Sequence, residues 1–117
     1  MPPVNVLAVA TAVPPHKLEQ RAVASAAREV YARTVARYPK LADVFINVGI
    51  DRRHSVRSLE WLSAPHDLAE RTKVYLEGAS ELFIQTARAA LERARISARD
   101  VDVVVTVSLN RHRDPQH

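Results

Sequence analysis

Few residues in this chain are of a type, and at a spacing, that does chemistry. The five histidines, His16, His54, His66, His112 and His117, are scattered, and none falls in HExxH or a comparable ligand pattern. No metal site is therefore expected, and His112 and His117 read as solvated tail residues rather than ligands. Ser25, Ser55, Ser63 and Ser108 lie outside any GxSxG context, so a hydrolase elbow is missing. The absence of cysteine excludes disulfides, thiolate metal sites and cysteine nucleophiles. Only 2 glycines are present, which argues against Gly-rich phosphate loops of the Walker or Rossmann kind.

Three groupings remain. Asp67, Glu70 and Arg71 have the composition of an acid–base cluster, but their spacing suits a helix cap with a first-turn charge pair. Arg52-Arg53-His54-Ser55 reads either as an anion-binding or basic phosphorylation patch, or as exposed charges beside a turn; spacing favours the second. Trp61 and Tyr75 read as packing residues. From the residues alone, no catalytic residue, metal or cofactor is expected.

The elements that must position these residues are organised around the stretch from Glu70 to Ser108. Val74, Ala79, Leu82, Phe83, Ala87, Ala90, Leu91 and Ala94 recur at steps of three and four, the pattern of a long amphipathic helix. Ile96 to Asp100 forms a short connection. Val101-Asp102-Val103-Val104-Val105-Thr106-Val107 is then β-branched and apolar on both faces, which predicts a buried central strand. Residues Val4 to Val13 predict a first buried strand, stopped by Pro14-Pro15. A helix is expected from about Leu18 to Ala36, with Val23, Ala26, Val30 and Tyr31 on one stripe. Pro39 opens a shorter helix carrying Leu41, Val44, Phe45 and Val48, and Gly49 sits where a C′ glycine belongs. Ile50 to Val56 suits a short strand or an extended loop, and Arg57 to Pro65 a surface crossing. Asp67 offers an N-cap with Glu70 at N3. The fold class expected is α/β, with an incomplete βαβ-type sheet.

A length of 117 residues allows one domain with a modest core, and 47% hydrophobic content fits a globular chain. The formal net charge is +4. The basic residues alternate with acids and lack interleaved aromatics, so nucleic acid is not an expected partner. No apolar segment approaches a membrane span of about 18 residues and no basic n-region precedes the first apolar run, so the expectation is a cytoplasmic protein without a membrane partner.

The ordered series VLAVATAVPPHKLEQ, FINVGIDRR, LEW, ERTKVYLEGASELFIQTARAALERA and DVDVVVTVS resembles the N-terminal segment of bacterial type III polyketide synthases. That is the chalcone/stilbene synthase family, within the thiolase-like superfamily. Residues 1–108 are accordingly read as the N-terminal part of a thiolase-like domain, and residues 109–117 as a tail foreign to the family. Ketoacyl-ACP synthase III enzymes share the terminal AL..A.....DVD.VV.VS pattern but match the LEW and ERTKVYLE blocks less well, so a fragment of that kind is the alternative. The resemblance implies a homodimer that condenses an acyl-CoA starter with malonyl-CoA through a Cys-His-Asn set. This chain has no cysteine to carry an acyl thioester, so it is expected to be inactive alone. The resemblance also implies that Lys40 holds CoA phosphates, with Arg52 or Arg53 near the tunnel mouth, although another basic position of the family falls on Asp43. Pairing with a full-length synthase, as a non-enzymatic interaction module, is the rival reading from another class.

The tail admits a specific explanation. The family strand ending in Val-Ser usually continues as something like Ser-Thr-Gly-Ile-Ala-Thr-Pro-Ser-Ile. With a suitable choice of codons, inserting a single C after the codon for Ser108 turns that continuation into Leu-Asn-Arg-His-Arg-Asp-Pro-Gln-His, as found from Leu109 to His117. A frameshifted or truncated synthase is the expectation.

Overall fold

The computed structural model describes residues 2–109 and is a mostly helical mixture of α and β. The chain opens with an unpaired apolar run and then forms strand β1 (His16–Glu19). Helix α1 (Gln20–Val30), helix α2 (Ala32–Arg37) and helix α3 (Leu41–Asn47) follow. Strand β2 (Arg52–Ser55) leads to helix α4 (Leu59–Ser63) and the long helix α5 (Leu68–Ala94). A single 3-10 turn at Ala98–Asp100 precedes a second unpaired run. The tail from 110 to 117 lies outside the described residues.

The sheet differs from the expectation. It has two antiparallel strands, with His16 opposite Ser55 and Glu19 opposite Arg52, and is not of the βαβ type. Neither apolar run belongs to it. The strand expected at Val4–Val13 and the buried central strand expected at Val101–Val107 are both without ladder partners. The reason is that a strand exists only through a neighbour's backbone groups, and composition supplies none. Val103 is 77% exposed and Val105 82% exposed, so the second run is a surface feature. The first run retains the period of a strand: Ala8, Ala10 and Ala12 are half-buried, while Leu7, Val9 and Val13 are exposed.

The helices follow the sequence more closely. The predicted helix over Leu18–Ala36 starts two residues late, ends one residue late and is broken at Tyr31, whose φ of −106° and ψ of 30° depart from helical values. Its hydrogen bonding nevertheless continues, from the Tyr31 amide to the Ala27 carbonyl and from the Val35 amide to the Tyr31 carbonyl, each at 2.9 Å. Helix α3 ends at Asn47 with Val48 as its C-cap, and Gly49 follows as C′ with φ +71°. The expected surface crossing at Arg57–Pro65 contains the short helix α4, capped by the Ser58 hydroxyl accepting from the Trp61 amide at 3.2 Å. Asp67 accepts from the Glu70 amide at 2.8 Å and Glu70 accepts back from the Asp67 amide at 3.3 Å, completing the expected capping box.

Helix α5 rises about 40 Å over its length, and both apolar runs are laid along it. Arg93 donates to the Val9 carbonyl at 2.8 Å, and Val13 lies with Gly78, Leu82 and Gln85. The first run therefore travels from the C-terminal towards the N-terminal half of α5. The second run does the same, because Thr106, Val107 and Ser108 lie beside Tyr75 and Ala79, and the Tyr75 and Ser108 hydroxyls are hydrogen-bonded. The eight residues from Val101 to Ser108 bridge that distance only if extended, at about 3.3 Å each. Both runs are thus antiparallel to α5 and parallel to one another.

The buried centre sits elsewhere, where α1 meets α3 and the two-stranded ribbon of β1 and β2. Gln20, Ala24 and Ala42 are the buried residues among those described.

Candidate functional site

The ribbon and α3 hold the three basic residues that the sequence singles out, but they do not form one cluster. Lys40 is the exposed N-cap of α3, and its ammonium has no ion-pair or hydrogen-bond partner among the described residues. Arg52 and Arg53 are neighbours in β2, and the pleat sends successive side chains to opposite faces. Arg52 lies opposite Glu19 in the register, without an ion pair to it.

Arg53 is exposed, but its guanidinium is committed to the buried Gln20. Its Nε donates to the Gln20 Oε1 at 2.7 Å, and the Gln20 amide nitrogen in turn donates to the Phe45 carbonyl. The Gln20 backbone amide donates to the Asp51 carbonyl at 2.9 Å. Gln20 is 3% exposed, so one side-chain amide ties β2, α1 and α3 together with both of its polar ends satisfied. Sequence reasoning missed Gln20. It looks like any polar residue at the start of an alanine-rich helix, and only the 33-residue separation from Arg53 gives it meaning.

Arg53 also edges a cavity of about 410 Å³ between α1 and α4, lined chiefly by Leu18, Val23, Ala26, Phe45 and Leu62. Its walls are apolar, with Arg53, His54 and Ser55 at one side. This arrangement can hold an apolar group beside one guanidinium already shared with Gln20. Ser55 and Ser63 also lie on it, but neither is hydrogen-bonded to His54 among the described residues, so the wall holds no activated nucleophile.

Of the cluster, Asp67 and Glu70 form the cap described above, with Glu70 also facing the His66 Nδ1 at 3.3 Å, while the expected first-turn charge pair with Arg71 does not form among the described residues. The His66 Nε2 donates to the Trp61 carbonyl at 2.8 Å, and the His66 ring stacks on Trp61 with centroids 3.7 Å apart and planes 13° from parallel. Trp61 packs, as its type predicts, and it packs on a histidine. Tyr75 is half-buried against the second apolar run. Among the described residues no group of three or more His, Cys, Asp or Glu could hold a metal ion. No helix among them is long and apolar enough to cross a membrane. No family model, curated protein or solved structure matches the chain.

Proposed function

We propose that this chain corresponds to the N-terminal part of a type III polyketide synthase, of the chalcone/stilbene family and thiolase-like superfamily, and that alone it does not condense acyl-CoA with malonyl-CoA. The observation that supports the reading is the course of the two apolar runs. An apolar extended run, a long helix and a second apolar extended run, with both runs antiparallel to the helix, would follow the path of a βαβ crossover with β1 to α4 inserted between the first run and the helix. The ladder bonds of such a unit come from neighbouring strands, and these runs have the composition to accept them. Zero cysteine leaves no thiolate to load a starter. On the CoA side, Lys40 and Arg52 are the exposed cations that remain unpaired among the described residues of the trio, whereas Arg53 serves Gln20.

Sequencing the coding DNA from the Asp102 codon onward and translating each frame tests the proposal. The expected result is a shifted frame that reads Ser-Thr-Gly-Ile-Ala-Thr-Pro-Ser and then supplies a cysteine, a histidine and an asparagine. A stop with no such frame beyond it removes the synthase reading. A second reading, a non-enzymatic module that pairs with an intact synthase, is favoured by the exposure of Val103, Val105 and Val107. Co-purification with such a synthase is its expected result, and failure to co-purify removes it.

A further inference from the structure

At the junction of α4, α5 and the Tyr31 break lies a cavity of about 360 Å³ that the synthase reading does not use. Its size is that of a small-molecule site, which typically spans about 300–1,000 Å³. Three aromatic side chains, Tyr31, Trp61 and Tyr75, line it together with His66. Aliphatic groups fill the rest of the wall, and two guanidinium groups, Arg57 and Arg71, are the charges on it. No carboxylate is among the lining residues.

The flat part of this wall is fixed in advance. Trp61 and His66 are stacked, and His66 is held through Nε2 on the Trp61 carbonyl and through Nδ1 against Glu70. A ligand that lies on such a surface has little side-chain freedom to remove. The two arginines differ in availability. Arg57 donates to its neighbour's carbonyl at 3.2 Å and lies 3.9 Å from Glu77, so its charge is partly answered. The Arg71 guanidinium has no ion-pair or hydrogen-bond partner among the described residues. One full positive charge on a planar fork beside fixed aromatic surfaces matches one planar anion. A polyphosphate would leave charge unanswered here, because a single free guanidinium cannot neutralise it.

We propose that this cavity binds a planar aromatic carboxylate, with the ring against the Trp61–His66 wall and the carboxylate on Arg71. The proposal is independent of the synthase reading, since it uses neither Lys40 nor the ribbon arginines.

Trp61 is the only tryptophan in the chain, so emission from the whole protein reports on this wall. The test is titration of the full chain with 4-nitrobenzoate, followed by Trp61 quenching, alongside its neutral isostere 4-nitrobenzamide. The expected result is saturable quenching by the carboxylate, at an apparent affinity about tenfold or more above that of the amide, corresponding to the loss of one charged contact. Arg71→Gln is expected to bring the two ligands to equal affinity, and Arg71→Lys to fall between, because the ammonium keeps the charge and loses the fork. Arg71 makes no side-chain bond that folding would miss, and unchanged Trp61 emission without ligand verifies that each variant is intact. Equal quenching by the amide in the unsubstituted chain would overturn the proposal. So would quenching that never saturates, an Arg71→Gln variant that still prefers the carboxylate, or displacement of 4-nitrobenzoate by equimolar inorganic phosphate.

Discussion

The two glycines answer to different constraints, and their substitution separates backbone strain from packing. Gly49 has φ +71° with open space where a Cβ would stand, so Gly49→Ala tests conformation alone. A loss of about 1–2 kcal/mol is expected from forcing an L-residue into the left-handed region, read as a lower urea midpoint. Gly78 has ordinary helical backbone, and an added Cβ would come 2.5 Å from the Val56 Cγ1, a short side chain with little room to turn away. Alanine in a helix interior gains up to about 1 kcal/mol over glycine, but here the clash opposes it. Gly78→Ala alone is expected to destabilise, and Val56→Ala with Gly78→Ala to recover most of the loss. Additive effects of the two substitutions would refute the contact. Gln20 carries a third test at this scale. Gln20→Leu keeps much of the volume but removes both polar partners, leaving the Phe45 carbonyl and the Arg53 Nε unanswered. A loss of about 1–3 kcal/mol follows for a buried group left unpaired. Chemical unfolding measures it, and a neutral result would show the network to be dispensable.

At the scale of elements, α5 is stabilised at its start by a local device and along its length by very little burial, since no residue in it is buried. The capping box therefore matters more than it would in a helix held by a core. Asp67→Ala is expected to cost about 1 kcal/mol and to speed hydrogen exchange at the Glu70 amide, which loses its acceptor. Unchanged exchange at that amide would count against the cap. This box was legible in the sequence because capping is a rule about four consecutive residues, and so was the left-handed glycine after α3. The break at Tyr31 was not legible, as no proline or glycine marks it and the hydrogen bonds run through it. The Ser58 cap was hidden in a segment too short to show helical period. The ribbon pairing of His16–Glu19 with Arg52–Ser55 was half visible: β2 was one of two readings of its segment, while the second half of β1, Leu18 and Glu19, was absorbed into the expected helix and its first half fell in no expected element. The apolar runs illustrate the remaining limit. Valine content announces a backbone suited to a sheet, but whether a ladder forms depends on partners that lie far away in sequence or in another molecule.

For the whole molecule, the balance of surface decides its behaviour in solution. The chain exposes 10,583 Å², whereas a compact monomer of this mass exposes about 6,400 Å². The excess is larger than the area that a standard protein–protein interface buries, about 1,200–2,000 Å². Much of the apolar part is concentrated in two places that share one helix: Val4, Val6 and Val9 on the first run and Val103 to Val107 on the second. Neither run makes a ladder bond among the described residues, although the Val9 carbonyl accepts from Arg93, so both offer backbone groups and apolar area at once, which is the condition for edge association. The charges flank the second run rather than interrupt it, with Arg99 before it and Arg111, Arg113 and Asp114 after it in the sequence. Asp100 and Asp102 precede the valines, and no charged residue interrupts Val103 to Leu109. The purified chain is therefore expected to elute above its 13.1 kDa mass in light-scattering chromatography, increasingly so as concentration rises. Because the attraction is apolar, sulfate should strengthen it rather than screen it. Val105→Lys places a charge at the middle of the exposed run and is expected to shift the population towards monomer. Its effect on unfolding should be small, since the side chain it replaces is already in water. A sharp, reversible, concentration-independent melt from a monomer would show that these runs are tolerated as surface, and that no neighbouring strand is needed to cover them.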